Sequence, residues 1–228
     1  MAFKYSPSII TNGLVLYLDA ANPYSYVSGS TTWNDISRGG NNGTLVNGPT
    51  FNSANGGSIV FDGVDDYANV PNNNILNSNT GTISVWFNYT SAPGNGSVLL
   101  GKTDVFGSFN GLNIFINQGA LGVQIKGNSP TATNIPGPNL NTNTWYNFTL
   151  TYTSGVSYSS YSNGIFTGTN SLLSFNFSTQ PLRLARSVDT YWSNFGGQIP
   201  ITQIYNRALS AQEVLQNYNA TKTRFGLT

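Results

Sequence analysis

Apolar and polar residues alternate along this chain in short stretches broken by Gly, Asn and Pro, and one stretch carries more pattern than the others. In FGGQIPITQIYNRALSAQEVLQNY, residues Phe195 to Tyr218, apolar Ile199, Ile201 and Tyr205 fall at odd positions and Ile204 joins them. That spacing predicts a strand with at least one well-buried face. Pro200 within it has no amide hydrogen to donate, so it marks an edge or a bulge. After the polar break Asn206-Arg207, Ser210-Ala211-Gln212-Glu213 has the form of a capping box, in which Ser210 and Glu213 satisfy each other's backbone amides. The short helix it starts places Val214, Leu215 and Tyr218 on one side, against a sheet. Nothing else in the chain has a helical period.

The other patterned stretches predict strands. Leu14 to Asp19 is nearly continuous in apolar character, as in a strand buried on both faces. Residues Ala20 to Gly57 are too long for a structureless connection and should hold short strands or pack through Trp33, Ile36, Leu45 and Phe51. Ser58 to Asp62 and Tyr67 to Val70 flank a tight turn, as a hairpin would. Thr82 to Tyr89 sets Ile83, Val85, Phe87 and Tyr89 on one side and Trp86 on the other. Leu112 to Ile116 and Leu121 to Ile125 read as one hairpin, and Val156 to Phe166 around Asn163-Gly164 as another, with the long strand Thr144 to Tyr152 before it. Gly127 to Asn143 reads as a loop. About a dozen short strands with one capped helix predict an all-β sandwich of two sheets, with Met1 to Thr11 as an arm and residues 12–228 as a single domain.

Composition changes that picture in two ways. Charged residues are 7% of the chain, against roughly 25% in an ordinary domain, so the surface must be built from Asn, Ser, Thr, Gly and Tyr. With a net charge of +1 and no basic run, nucleic acid and anionic membrane are not expected partners. No cysteine and no histidine are present, which excludes disulfides, thiolate chemistry and a His-based triad. The N-terminus has no basic region followed by an apolar stretch, so the expectation is a chain made in a cytosol without a Sec-type signal. Sequons such as Asn88-Tyr89-Thr90 then reflect an Asn- and Thr-rich composition.

Six segments in order carry a resemblance: Gly13 to Asp19, Val60 to Tyr67, Ile83 to Phe87, Trp145 to Tyr152, Tyr161 to Gly164 and Ile204 to Ser210. Their sequence and spacing resemble the laminin-G-like, concanavalin A-like lectin/glucanase domains over nearly the whole chain. The resemblance implies a jelly roll of two curved antiparallel sheets with one short C-terminal helix. The wording Leu18-Asp19-Ala20-Ala21-Asn22-Pro23, with Asn42 to Phe51 ahead of the Phe61-Asp62-Gly63 turn, is similar to the form found in virion structural proteins of tailed phages. It implies a decoration, fibre or tail component located in the virion, with other virion proteins, cell-surface glycans and further copies of itself as partners. A stand-alone carbohydrate-binding lectin, a remnant glycanase or a surface adhesin is the alternative.

That fold hosts glycosidases as well as lectins, so catalysis has to be sought in residues. Glycoside hydrolysis uses two carboxyl groups across one bond. The single glutamate, Glu213, belongs to the capping box, and Asp19, Asp35, Asp62, Asp65, Asp66, Asp104 and Asp189 stand at strand ends or in loops. No catalytic residue is expected. No cofactor is expected either, apart from calcium at the acidic cluster Asp62, Asp65 and Asp66, where the competing reading is that Asp62 caps its own turn. Trp33, Trp86 and Trp145 read as packing residues. Trp192, with Tyr191 and Asp189 in the loop before Phe195, has the makeup of a glycan site, of a subunit contact, or of a ring buried under its loop.

Overall fold

In a computed structural model that describes residues 7–91, 96–104, 110–126, 130–134, 139–171 and 174–228, the alternating stretches form eighteen strands in two sheets of nine. The first sheet runs Ile165–Ser171, Ser157–Ser162, Trp145–Thr153, Thr80–Ser91, Gly196–Ile199, Ser58–Asp62, Thr50–Asn52. Ile201–Tyr205 lies in the same sheet between Thr80–Ser91 and Leu14–Asp19. The second runs Pro130–Asn134, Ala120–Lys126, Gly111–Asn117, Ser97–Thr103, Leu182–Leu184, Tyr67–Val70, Gly43–Val46, Thr32–Trp33. Beside Ser97–Thr103 the short strand Ser193–Asn194 pairs in parallel. Between the sheets, Leu16, Ile83, Val85, Phe87, Phe148 and Ile199 from one meet Ala68, Leu100, Ile114 and Leu184 from the other in a single buried core. The all-β jelly-roll sandwich with one C-terminal helix is thus the observed architecture.

Pro200 sits where the ladder breaks. Gln198 pairs with Asn88 but Thr202 pairs with Val85, four residues on one strand against three on the other, so one extra residue is accommodated there as in a bulge. Both flanking strands are interior, which removes the edge reading. The bulge also changes which way the side chains point. Ile199 faces the inter-sheet core, whereas Ile201 joins Trp86 and Phe225 on the outer face of the first sheet. The odd-position alternation read across Pro200 therefore does not survive, because an inserted residue shifts the two-residue period by one.

The outer face is covered by the C-terminal helix, Ala211–Thr221, and the turn Lys222–Phe225. Ser210 accepts from the Glu213 amide at 3.3 Å and Glu213 accepts from the Ser210 amide at 2.9 Å, closing the expected capping box. Glu213 also receives both guanidinium nitrogens of Arg207, at 2.6 and 2.9 Å. Val214 and Asn217 are buried and Tyr218 and Thr221 partly so, at the i, i+3, i+4, i+7 spacing of one helix face. Leu215 is 43% exposed, since it lies one residue off that face. Asn217 takes the place expected for an apolar residue: its amide donates to the Tyr205 hydroxyl at 2.9 Å and its oxygen accepts from the Ile10 amide at 2.7 Å. Trp86 is buried against Phe225, with ring centroids 4.2 Å apart, and its indole donates to Thr221 at 3.0 Å. Residues 7–11 lie along this helix, with Ser8 and Ile10 carbonyls accepting from Gln216 and Tyr205.

Two further expectations change. Ser58–Asp62 and Tyr67–Val70 do not form a hairpin; the turn between them carries the chain from the first sheet to the second. The Gly127 to Asn143 stretch includes the strand Pro130–Asn134 paired to Ala120–Lys126, and its residues 127–129 and 135–138 lie outside the described residues. The hairpins at Gly111–Asn117/Ala120–Lys126 and at Asn163-Gly164 form as expected. So do short strands inside Ala20 to Gly57.

The Arg207 pairing and the capping bonds lower the Glu213 pKa from 4.5 to about 2. Between those values the unfolded chain binds a proton that the folded chain does not, so stability falls as pH drops through this window. In urea titrations, wild type should lose stability between pH 4.5 and 2 while Glu213→Gln shows a flatter profile there. At neutral pH the substitution should cost about 1 kcal/mol, the scale of a partly exposed cap.

Candidate functional site

Strand register sets the outer face of the second sheet. Leu182 and Leu184 enter the core, so Arg183 between them points outward. Opposite Arg183 stand Asn69 on one neighbour and Gly101 on the other; Thr44 is paired with Asn69, Asn113 with Gly101 and Gln124 with Asn113. The row crosses six strands with four uncharged hydrogen-bonding side chains, Thr44, Asn69, Asn113 and Gln124, and with Gly101 and Arg183 at its middle.

A loop from Ala185 to Phe195 lies over part of this row, closed by the Phe195 amide donating to the Ala185 carbonyl at 2.8 Å. Its Ser187 hydroxyl donates to Asn113 at 3.1 Å and accepts from the Asp189 amide at 3.1 Å. Asn113 in turn donates to Gln124 at 3.1 Å, and the Trp192 indole donates to the same Gln124 oxygen at 3.2 Å. Two glycines make room for this layering. A Cβ on Gly101 would collide with the Asn113 side chain, and one on Gly122 with the Phe115 ring on which Trp192 packs. The Phe115 and Trp192 centroids are 4.3 Å apart.

The three loop residues expected to form a glycan or partner site are separated by depth. Asp189 is 3% exposed and accepts from the Tyr191 amide at 3.1 Å. Its carboxylate therefore shapes the loop from below. Trp192 is half-buried, and Tyr191, 55% exposed, stands edge-on to it with centroids 5.3 Å apart. The ring pair is consequently the part of the trio that solvent reaches. Arg183, Arg186 and Tyr67 adjoin this face and were not singled out from sequence. The guanidinium carbons of Arg183 and Arg186 lie 4.9 and 5.2 Å from the Tyr67 centroid. The signal available was Leu182-Arg183-Leu184 in a chain with only nine basic residues.

At the Asp62 turn, carboxylate oxygens of Asp62, Asp65 and Asp66 lie within 4.8 Å of one another. One oxygen of Asp62 accepts from the amides of Val64, Asp65 and Asp66 at 2.8, 3.3 and 3.4 Å, and these bonds hold its pKa below the usual range. Asp66 is buried and accepts from the Asp62 amide at 3.1 Å; its desolvation raises its pKa. The carbonyls of Val64 and Asp65, natural calcium ligands, accept from Asn194 at 2.6 Å and Asn47 at 2.8 Å. The turn is held by its own amides and by these two asparagines.

Among the acids expected to be non-catalytic, Asp19 pairs with Arg224 at 2.7 Å and Asp35 accepts amides from Tyr17, Ser37 and Asn41. Glu213, with a pKa near 2, cannot hold a proton for a general acid at neutral pH.

The sequence matches the family model described as the concanavalin A-like lectin/glucanases superfamily over residues 62–215, more than half of the chain. The chain belongs to this superfamily. No curated protein matches it in sequence. Among solved structures of superfamily-like shape, the binding domain of Paraclostridial Mosquitocidal Protein 1 superposes with a TM-score of 0.74 at 18% identity, covering 92% of this chain and 52% of that one. Domain 4 of AbnA, a GH43 extracellular arabinanase from Geobacillus stearothermophilus solved with arabinotriose, gives 0.71 at 15% identity, covering 90% of this chain and 98% of that one. Trypanosoma rangeli sialidase in complex with sialic acid gives 0.68 at 16% identity, covering 93% and 33%. The chain spans about half the length of the toxin binding domain it matches. At these identities the likenesses establish the fold.

Because one oxygen each of Asp62 and Asp66 and the Val64 and Asp65 carbonyls already accept hydrogen bonds, calcium added to chelator-treated protein should leave the melting temperature unchanged. A rise of several degrees would instead show that Asp65 and Asp66 complete a calcium site. Asp62→Ala should lower the melting temperature with or without the ion, since three amides lose their acceptor.

Proposed function

We propose that this superfamily member binds saccharides without cleaving them, using the outer face of its second sheet beside Tyr191 and Trp192. The observation that carries the reading is the exposed Tyr191 ring and half-buried Trp192 ring set beside the accessible members of the row, Gln124, Asn69 and Thr44, while Asn113 is buried beneath the loop. Sugars present apolar faces that stack on aromatic rings and hydroxyls that hydrogen-bond to amides. The absence of catalysis in this reading rests on how the acids are used: each one described above is held in a cap, a turn, an ion pair or a loop bond. The structural neighbours include named binding domains and a domain solved with a saccharide, which supports a recognition role.

The setting we propose is the particle of a tailed phage, where the domain would contact other virion subunits and host-surface glycans. Support for it comes from the Leu18 to Pro23 and Asn42 to Phe51 wording and from a nearly uncharged polar surface. Mass spectrometry of purified particles should find the protein, and its absence would overturn the virion setting while leaving a stand-alone lectin or adhesin. On a glycan array, wild type should bind at least one saccharide class. Tyr191→Ala, at an exposed site, and Trp192→Ala should each weaken that binding by about ten-fold, the loss of roughly one ring–sugar contact. Unaltered binding by both would remove this face from the reading.

A further inference from the structure

Positive charge is scarce in this chain, with nine basic residues, and three of them are committed to closing the fold. Arg207 pairs with Glu213 and Arg224 with Asp19, while buried Lys102 donates to Asn72, Ser178 and Gln180 oxygens at 2.7 to 2.8 Å. Arg183 and Arg186 differ. Both lie against the Tyr67 ring, and neither appears in an ion pair among the described residues. The Arg183 Nε is enclosed and makes no hydrogen bond. Burial, together with the neighbouring Arg186 charge, lowers the Arg183 pKa, so bringing these two cations together has an electrostatic cost. The Tyr67 ring offsets part of it.

We propose that Arg183 and Arg186 form a subsite for the carboxylate of an acidic sugar on the outer face of the second sheet. The inference rests on the saccharide-binding reading and narrows it to uronate- or nonulosonate-type ligands. A guanidinium presents parallel N–H donors in a planar fork that matches the two oxygens of a carboxylate, and two such forks beside an aromatic ring leave an anion the favoured occupant. The flanking row places Asn69 directly opposite Arg183, where its amide can meet the hydroxyls of the same sugar ring. An anion there also relieves the repulsion between the two arginines, which a neutral sugar does not.

Calorimetric titration with a galacturonate trimer and with sialyllactose, set against the methyl-esterified trimer and lactose, tests this. The acidic probe of a matched pair should bind at least about ten-fold more tightly than its neutral counterpart, and the preference should shrink with added salt. Arg186→Gln should remove most of that preference and leave neutral binding within about two-fold. Arg183→Lys keeps the charge and loses the fork; with an unchanged melting temperature it should also weaken acidic binding several-fold. Equal affinity for the acidic and neutral members of both pairs, or an acidic preference that survives both substitutions, overturns the subsite and leaves the saccharide reading standing. Binding of no saccharide, here or on the array, overturns both.

Discussion

The missing amide hydrogen of Pro200 conditions how the first sheet is built. Gly196 to Tyr205 runs along one side of Thr80–Ser91, but a proline cannot donate to a continuous ladder. One extra residue is taken up at that point, and the neighbour on the far side changes from Ser58–Asp62 to Leu14–Asp19. The Pro200 carbonyl is not wasted, since it accepts from the Ala20 amide at 2.9 Å. The local inversion then sends Ile201 outward to Trp86 and Phe225 and leaves Ile199 in the core. A flat apolar patch on the outer face results, and the C-terminal helix is needed to cover it. Thus one backbone group links the internal order of the sheet to the presence of the helix.

That linkage explains the polar centre of the helix contact. Asn217 joins the Tyr205 hydroxyl and the Ile10 amide, and Tyr205 donates to the Ile10 carbonyl at 2.9 Å. The N-terminal segment, the last strand and the C-terminal helix therefore share one closed hydrogen-bond network. Leaving any of its buried members unpaired costs more than the bond itself is worth. The network fixes the register of the helix on the sheet, a task that the interchangeable contacts of Val214 and Leu209 do not perform alone.

Most of the fold was legible in the sequence because its signals are local. Alternation placed Ile83, Val85 and Phe87 on the core side, Asn163-Gly164 marked a hairpin, and Ser210 with Glu213 marked the helix start. What failed were statements requiring knowledge of strand neighbours. Ser58–Asp62 and Tyr67–Val70 look like hairpin arms, yet each finds partners elsewhere, because a turn sequence does not say which sheet the chain enters next. The site was less legible for the same reason. Tyr191 and Trp192 could be found as loop aromatics, but the depth of Asp189 depends on a loop folded back over a sheet. Arg183 and Tyr67 come together through the register of two strands more than a hundred positions apart.

Scarcity of charge gives the placement of each charge its meaning. A chain with 7% charged residues cannot depend on a diffuse ionic surface, and its charged groups are largely spent on closing structure. Asp35 gathers three amides, Arg224 fastens the C-terminal turn to Asp19 and to the Asn55 and Gly57 carbonyls, and Lys102 ties its strand to two loops. Each of these arrangements lowers the local electrostatic energy by bringing opposite charge or oriented dipoles to the ion. Arg183 and Arg186 do the reverse, placing like charges on one ring with no ion pair to either among the described residues. In a fold otherwise so economical with ions, two cations on one ring favour an anion as their counterpart, which is the physical ground of the acidic-sugar subsite proposed above.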